Sequence, residues 1–189
     1  EARAALAALG IECLAFPGHA GRRADLEQLV ARTIEATGAI DILVCNAATN
    51  PVSATLRDTP DAAFDKVMET NLKGPLWLCN AALPHMKARG GGSVVMLSSI
   101  ASQRGVPGLG AYAISKAAVN ALVRNLAVEW GPSGIRVNAL VAGLVETEFS
   151  RLLWEDPVRR EKAATRTPLR RVGRPEDIAG AVLFLASRA

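Results

Sequence analysis

Tyr112 is the only tyrosine in the chain, and Lys116 follows it by four residues in the stretch "AYAISKAAVNAL". On a helix that spacing puts both side chains on one face, a turn apart, so a phenol and an ammonium can share a site. A phenol of pKa about 10 works as an acid or base near neutrality only if its anion is favoured. A nearby ammonium favours it by Coulomb attraction, and more strongly in a dry site. Taken alone, the pair fits a tyrosine packed on an Ala-rich helix better than it fits an acid/base site. Its neighbours shift the balance. Ser99 stands thirteen residues before Tyr112 and ends the run "GSVVMLSS", whose lack of alternation predicts a strand buried on both faces of a parallel sheet. Open parallel sheets hold their ligands at the C-terminal ends of the strands. There the Ser99 hydroxyl can hydrogen-bond a substrate oxygen beside the phenol. Asn46 and Ala47 end "DILVCNA", Asn71 lies in the helix predicted after it, and "VAGLVET" at 141–147 ends a third run. Three strand ends and one helix converge on one crevice.

The elements that must position these residues alternate between short β-branched runs and longer Ala/Leu stretches of helical period, the mark of an α/β sheet. "EARAALAALG" reads as the tail of a helix closed by Gly10, followed by a strand "IECLAF". "ADLEQLVARTIEATG" sets Leu26, Leu29, Val30, Thr33 and Ile34 on one helical face and ends at Gly38. After the strand "AIDILVCNA", residues 59–90 predict a long helix or a kinked pair, with Thr59 as N-cap, Pro60 in the first helical position, and bends or breaks at Pro75 and Pro84. "GSVVMLSS", a helix over about 111–130, the strand "IRVNALVAG", an Arg-rich segment and the helix "RPEDIAGAVLFLASRA" complete the order. "RGGGS" at 89–93 leads into a strand rather than out of one, so it reads as a turn and not a phosphate cradle.

At 189 residues, half of them apolar, the chain fits one domain or most of one. No apolar run reaches membrane-spanning length, and the first residues lack signal-peptide order, which predicts a soluble, cytoplasmic chain. Cys13, Cys45 and Cys79 are odd in number and include no CxxC pair, so they predict buried thiols rather than disulfides or a zinc site. The net charge of +4, with arginines scattered or gathered in "RTPLRRVGRPED", predicts a solvated basic face and no nucleic-acid partner.

Together the motifs "CNAA" (45–48), "TNLKG" (70–74), "SVVMLSSIAS", "YAISK" and "RVNALVAGLVETEF" resemble those of the short-chain dehydrogenase/reductases, from end to end of the chain. Within that family, "VCNAATNPVSATL", "RGGGSVVMLSSIAS" and "FSRLLWED" are most similar to the NADP-dependent carbonyl reductase and retinol dehydrogenase-like branch. The resemblance implies an α/β fold: a Rossmann-like, doubly wound parallel sheet with helices on both faces. It implies an enzyme that interconverts a carbonyl and an alcohol with NADP, or NAD, as cofactor. Tyr112 would exchange the proton with the substrate oxygen, Lys116 would lower the pKa of Tyr112, and Ser99 would polarise the oxygen. Asn71 would anchor a water relaying protons to Lys116. Tyr112 and Lys116 would also meet the nicotinamide ribose. Asn46 and Ala47 would lie near the adenosine ribose, and Gly143, Val145 and Thr147 near the carboxamide or the pyrophosphate. Phe149, Leu152, Leu153 and Trp154 are candidate pocket walls. A homotetramer or homodimer built partly on the Tyr112 helix is implied as well.

The sequence also departs from the family pattern. Cys45 and Ala48 replace the first Asn and the Gly of the NNAG motif, Ala142 replaces a Pro, and His19 stands where many relatives carry Asp. His19 and His85 read as a polar loop residue and a surface residue. The family's Gly-rich pyrophosphate loop and its final strand have no counterpart in residues 1–189. A single partial domain is therefore expected, a fragment of a longer protein, with "IECLAF" lacking a neighbour and "AIDILVCNA" an open edge that disfavours stable folding in isolation. Two further readings stand beside the leading one: a 3-oxoacyl carrier-protein reductase, and a non-catalytic remnant that binds a partner.

Overall fold

The three β-branched runs that follow residue 40 pair side by side, because a parallel ladder satisfies the backbone of segments too apolar to face water. In the computed structural model, which describes residues 2–188, these are β1 (Ile42–Cys45), β2 (Gly92–Ser99) and β3 (Ile135–Ala142), in the order β1-β2-β3 and all parallel. The register sets Cys45 beside Met96 and Ser99 beside Ala142, so all three strands end on one edge. Helices connect them: α1 (Ala2–Ala8), α2 (Arg23–Thr37), α3 (Asp61–Met68), α4 (Gly74–Ala88), α5 (Gly110–Trp130), the short α6 (Arg151–Trp154), α7 (Pro157–Arg166) and α8 (Pro175–Ala186).

Side chains alternate across β2 and divide the two faces. Val94 and Met96 join Cys45, Ile135 and Val137 in a core closed by Cys79, Ala82 and Met86 of α4 and by Val119, Val123, Leu126 and Trp130 of α5. Ser93 and Arg136, of the opposite parity, bond to the Leu185 carbonyl and place α8 on the other face. On α5, Val119, Val123, Leu126 and Trp130 are therefore core, whereas Val128 is exposed.

Three expectations are corrected. Residues 11–16 form no strand: no neighbouring strand accepts their backbone groups, and Ile11 and Leu14 stand exposed. Cys13 is only partly buried, while Cys45 and Cys79 are in the core, all three as free thiols. Over 59–90 the cap is Pro60 rather than Thr59, whose hydroxyl instead donates to the Thr55 carbonyl. The helix is interrupted only once, by the π-turn Glu69–Lys73; Pro75 lies in the first turn of α4, and α4 runs through Pro84 unbroken.

A close backbone approach explains Gly74. A Cβ there would sit 2.1 Å from the Ala20 carbonyl oxygen, so only glycine lets the start of α4 pass the 18–21 loop. The C-cap of α2 is Gly38, at φ 77°, as its position after the last apolar residue predicts.

Candidate active site

The sheet edge where β1, β2 and β3 end is where the candidate residues gather. Ser99 closes β2 and caps the 3-10 turn Ile100–Gln103, its Oγ accepting from the Ala101 N–H at 3.2 Å. The chain then turns back so that α5, starting at Gly110, runs along β2 and β3 with Tyr112 in its first turn and Lys116 one turn on. Two buried serines fix that helix. Ser98 Oγ donates to the Lys116 carbonyl (3.2 Å), and Ser115 Oγ donates to the Tyr112 carbonyl (2.7 Å).

Lys116 is 3% exposed, and its Nζ donates to the Leu97 carbonyl at 2.7 Å while lying 5.7 Å from the centre of the Tyr112 ring. Burial lowers its pKa to about 8, against a weaker upward pull from the Cys45 thiol. Tyr112 moves the other way. Burial raises its phenol above the ordinary value, and the Ser99 hydroxyl beside it works against that rise. The net shift of Tyr112 is therefore upward, opposite in direction to the lowering expected from Lys116. A dry site penalises both charged forms, and with Nζ turned to Leu97 the ammonium does not reverse the penalty on the phenolate. Near neutrality Tyr112 is a neutral acid and Lys116 still a cation.

Asn71 sits fully buried in the π-turn. Its Oδ1 accepts from the Thr49 N–H (2.7 Å), and its Nδ2 donates to the Thr49 carbonyl and to Ser115 Oγ (both 3.0 Å). These bonds take up both amide hydrogens and tie the loop after β1 to α5. Thr49, Ser98 and Ser115 were not singled out in the sequence. Ser115 carried a signal, since it lies inside "YAISK" and three residues after Tyr112 is the range of a helical back-bond.

Asn46 and Ala47 follow β1 directly and line a cleft of about 230 Å³ with Phe16, Pro17, Gly18 and Leu78. Gly143, Val145 and Thr147 follow β3. A Cβ on Gly143 would meet nothing within 4 Å, Val145 bridges to Gly173, and Thr147 caps the turn Glu148–Ser150. Phe149, in that turn, lies 5.9 Å from Tyr112 between ring centres. Of the other candidate walls, Trp154 donates its indole N–H to the Thr147 carbonyl at 2.8 Å, and Leu152 is exposed. An extended ligand therefore has polar backbone and an apolar cleft at β1, open space at β3, and Tyr112, Ser99 and Lys116 between. These residues fit a dinucleotide laid along the sheet edge.

Comparison with known proteins shows the family and the fold. The profile of the family described as enoyl-(acyl carrier protein) reductase matches residues 1–189. Dehydrogenase/reductase SDR family member 4 of Bos taurus is 44% identical over 186 residues, which are 97% of this chain and 67% of that protein. The chain thus spans about two thirds of the length of that relative. Among solved structures, a 7α-hydroxysteroid dehydrogenase complexed with NADH and 7-oxo glycochenodeoxycholic acid superposes with a TM-score of 0.92 at 33% identity, over 98% of this chain and 71% of that one. A gluconate 5-dehydrogenase from Burkholderia cenocepacia, in complex with NADP and tartrate, gives 0.85 at 33% identity, over 89% and 66%. No helix among the described residues is long and apolar enough to cross a membrane.

Proposed function

Because the chain belongs to the short-chain dehydrogenase/reductase family, we propose that it carries the catalytic centre of an NAD(P)-dependent oxidoreductase that interconverts a carbonyl and an alcohol. The observation that carries this reading is the meeting of a protonated phenol, a hydroxyl and a buried ammonium at the C-terminal edge of a parallel sheet. The nicotinamide, when bound, supplies or accepts the hydride at the substrate carbon.

In reduction Tyr112 gives its proton to the carbonyl oxygen, so that hydride and proton together make the alcohol; in oxidation it takes the proton back. Ser99 donates a hydrogen bond to the same oxygen. The phenolate left on Tyr112 is the species that Lys116 and Ser99 stabilise, which concentrates their effect in the transition state rather than in the resting site. Lys116 would also hold the nicotinamide ribose, Asn46 and Ala47 the adenosine ribose, and Gly143, Val145 and Thr147 the carboxamide or pyrophosphate. Asn71 positions α5 through Ser115 and Thr49. We place NADP ahead of NAD on the resemblance to NADP-dependent carbonyl reductases. Cytoplasmic residence and a homodimer or homotetramer through α5 belong to the same reading, with Val128 as an outward contact that light scattering on the full-length protein would probe.

The test is Tyr112→Phe in the full-length protein, with NADPH and NADH compared. Turnover should fall by roughly three orders of magnitude, the upper range for a lost acid/base group, while cofactor binding persists. Carbonyl reduction within a few fold of wild type would reject the assignment and favour a non-catalytic binding role. A second reading is a 3-oxoacyl carrier-protein reductase, which shares the acyl carrier-protein substrate, though not the reaction, with the description of the matched family. Faster reduction of an acetoacetyl thioester than of simple ketones and aldehydes would select it.

A further inference from the structure

Among the described residues, Phe149 is the aromatic side chain that lies against Tyr112, with ring centres 5.9 Å apart and planes inclined at 38°. It remains 57% exposed, so the contact with Tyr112 leaves much of its ring uncovered. An exposed phenylalanine packed beside the catalytic acid offers apolar surface to whatever binds there.

The turn that carries Phe149 is held at both ends. Ser150, buried beneath it, bonds to the Val145 carbonyl and to Thr147 Oγ1 (3.1 Å). Trp154 Nε1 donates to the Thr147 carbonyl, Val145 bridges to Gly173, and Glu146 pairs with Arg160 of α7. Phe149 is thus a fixed wall on a wound turn, not the tip of a loose loop.

We propose that Phe149 is a specificity-determining residue that decides which face of a prochiral ketone is reduced; this rests on the oxidoreductase reading above. Two hydrogen bonds, from Tyr112 and Ser99, fix the carbonyl oxygen, and the hydride arrives from one side. Turning the substrate by half a turn about its C=O bond exchanges the two substituents and presents the opposite face to the hydride. The product enantiomer therefore depends on which substituent lies on the Phe149 side. An apolar wall there takes the larger apolar arm and leaves the smaller or polar one on the other side. The substrate class implied is a ketone with two unlike arms, one of them apolar.

The experiment is reduction of 2-octanone by the full-length protein, with the two 2-octanol enantiomers separated by chiral chromatography. Phe149→Ala should lower the enantiomer ratio by about 3- to 10-fold, the worth of one aromatic contact, and Phe149→Leu, which keeps apolar bulk, by less. The pH dependence of turnover, set by Tyr112 and Lys116, should keep its shape in both variants. An unchanged ratio in Phe149→Ala, or racemic product from wild type, overturns the proposal while leaving the oxidoreductase reading in place. Absence of any carbonyl reduction by wild type, with Tyr112→Phe indistinguishable from it, overturns both.

Discussion

Replacing Lys116 with methionine is expected to stabilise the folded protein while ending its chemistry. Lys116 is buried, and its Nζ has the Leu97 carbonyl as its hydrogen-bond acceptor. Burial takes its pKa from 10.5 to about 8. At 1.36 kcal/mol per pH unit, holding the ammonium in that environment costs about 3 kcal/mol at neutral pH. The sign follows from proton counting. The unfolded chain keeps the proton up to pH 10.5 and the folded one loses it near pH 8, so in that window the unfolded state binds more protons and stability rises with pH. The cost is therefore present in full below pH 8 and gone by about 10.5. Methionine fills the stem volume without a charge but leaves the Leu97 carbonyl unpaired, at about 1 kcal/mol. Lys116→Met should thus gain about 2 kcal/mol at pH 7 and lose that advantage by about pH 10. Urea unfolding of the full-length protein at pH 7 and pH 10, without cofactor, measures both values, and an NAD(P)H-coupled assay reads the loss of turnover. A variant less stable than wild type at pH 7, or a stability difference that ignores pH, would refute the reasoning, since either would mean that the ammonium is well solvated where it lies.

Two other changes test what holds the site in place. Gly74→Ala drives a Cβ to 2.1 Å from the Ala20 carbonyl, a backbone atom that cannot swing aside. Overpacking of this kind should cost about 1 to 3 kcal/mol, seen as a lower urea midpoint, and a midpoint matching wild type would show that α4 can shift freely. Ser115→Ala and Asn71→Ala remove the two ends of one buried hydrogen bond. Their stability losses should fail to add by about 1 kcal/mol in a double-mutant cycle, and strict additivity would mean that the π-turn and α5 are not coupled through it.

The sequence carried the sheet wherever a run was buried on both faces. "GSVVMLSS" is β2 to the residue because nothing but a central strand suits so many consecutive apolar side chains. "IECLAF" is just as apolar at its ends, yet it is no strand, since strand formation depends on a neighbour and not on the run itself. The same dependence shows in β1, where Ile42 and Val44 stand exposed while Cys45 is buried. Pro84 shows the opposite failure. Its propensity argued for a bend or a break, but α4 continues through it with Ala82 and Met86 in the core, and the interruption falls instead at Glu69–Lys73, in a π-turn that no local pattern announced.

For the site, the YxxxK spacing together with the strand end at Ser99 brought Tyr112, Lys116 and Ser99 to one place, because helical period and strand ends are geometric facts that a sequence states directly. The protonation of the pair was not legible in the same way. Four residues of separation say that an ammonium is near a phenol, but not whether it points at the phenol or at the Leu97 carbonyl, nor how dry both are. Burial raises one group and lowers the other, so the resting site holds the acid form of Tyr112 and a lysine poised to lose its proton near pH 8. The attraction of that ammonium for the phenolate is smaller than the cost of burial, so it eases the proton's departure without ionising the resting phenol. If that is its role, carbonyl reduction should weaken above about pH 8, where Lys116 becomes neutral and the new phenolate loses its partner.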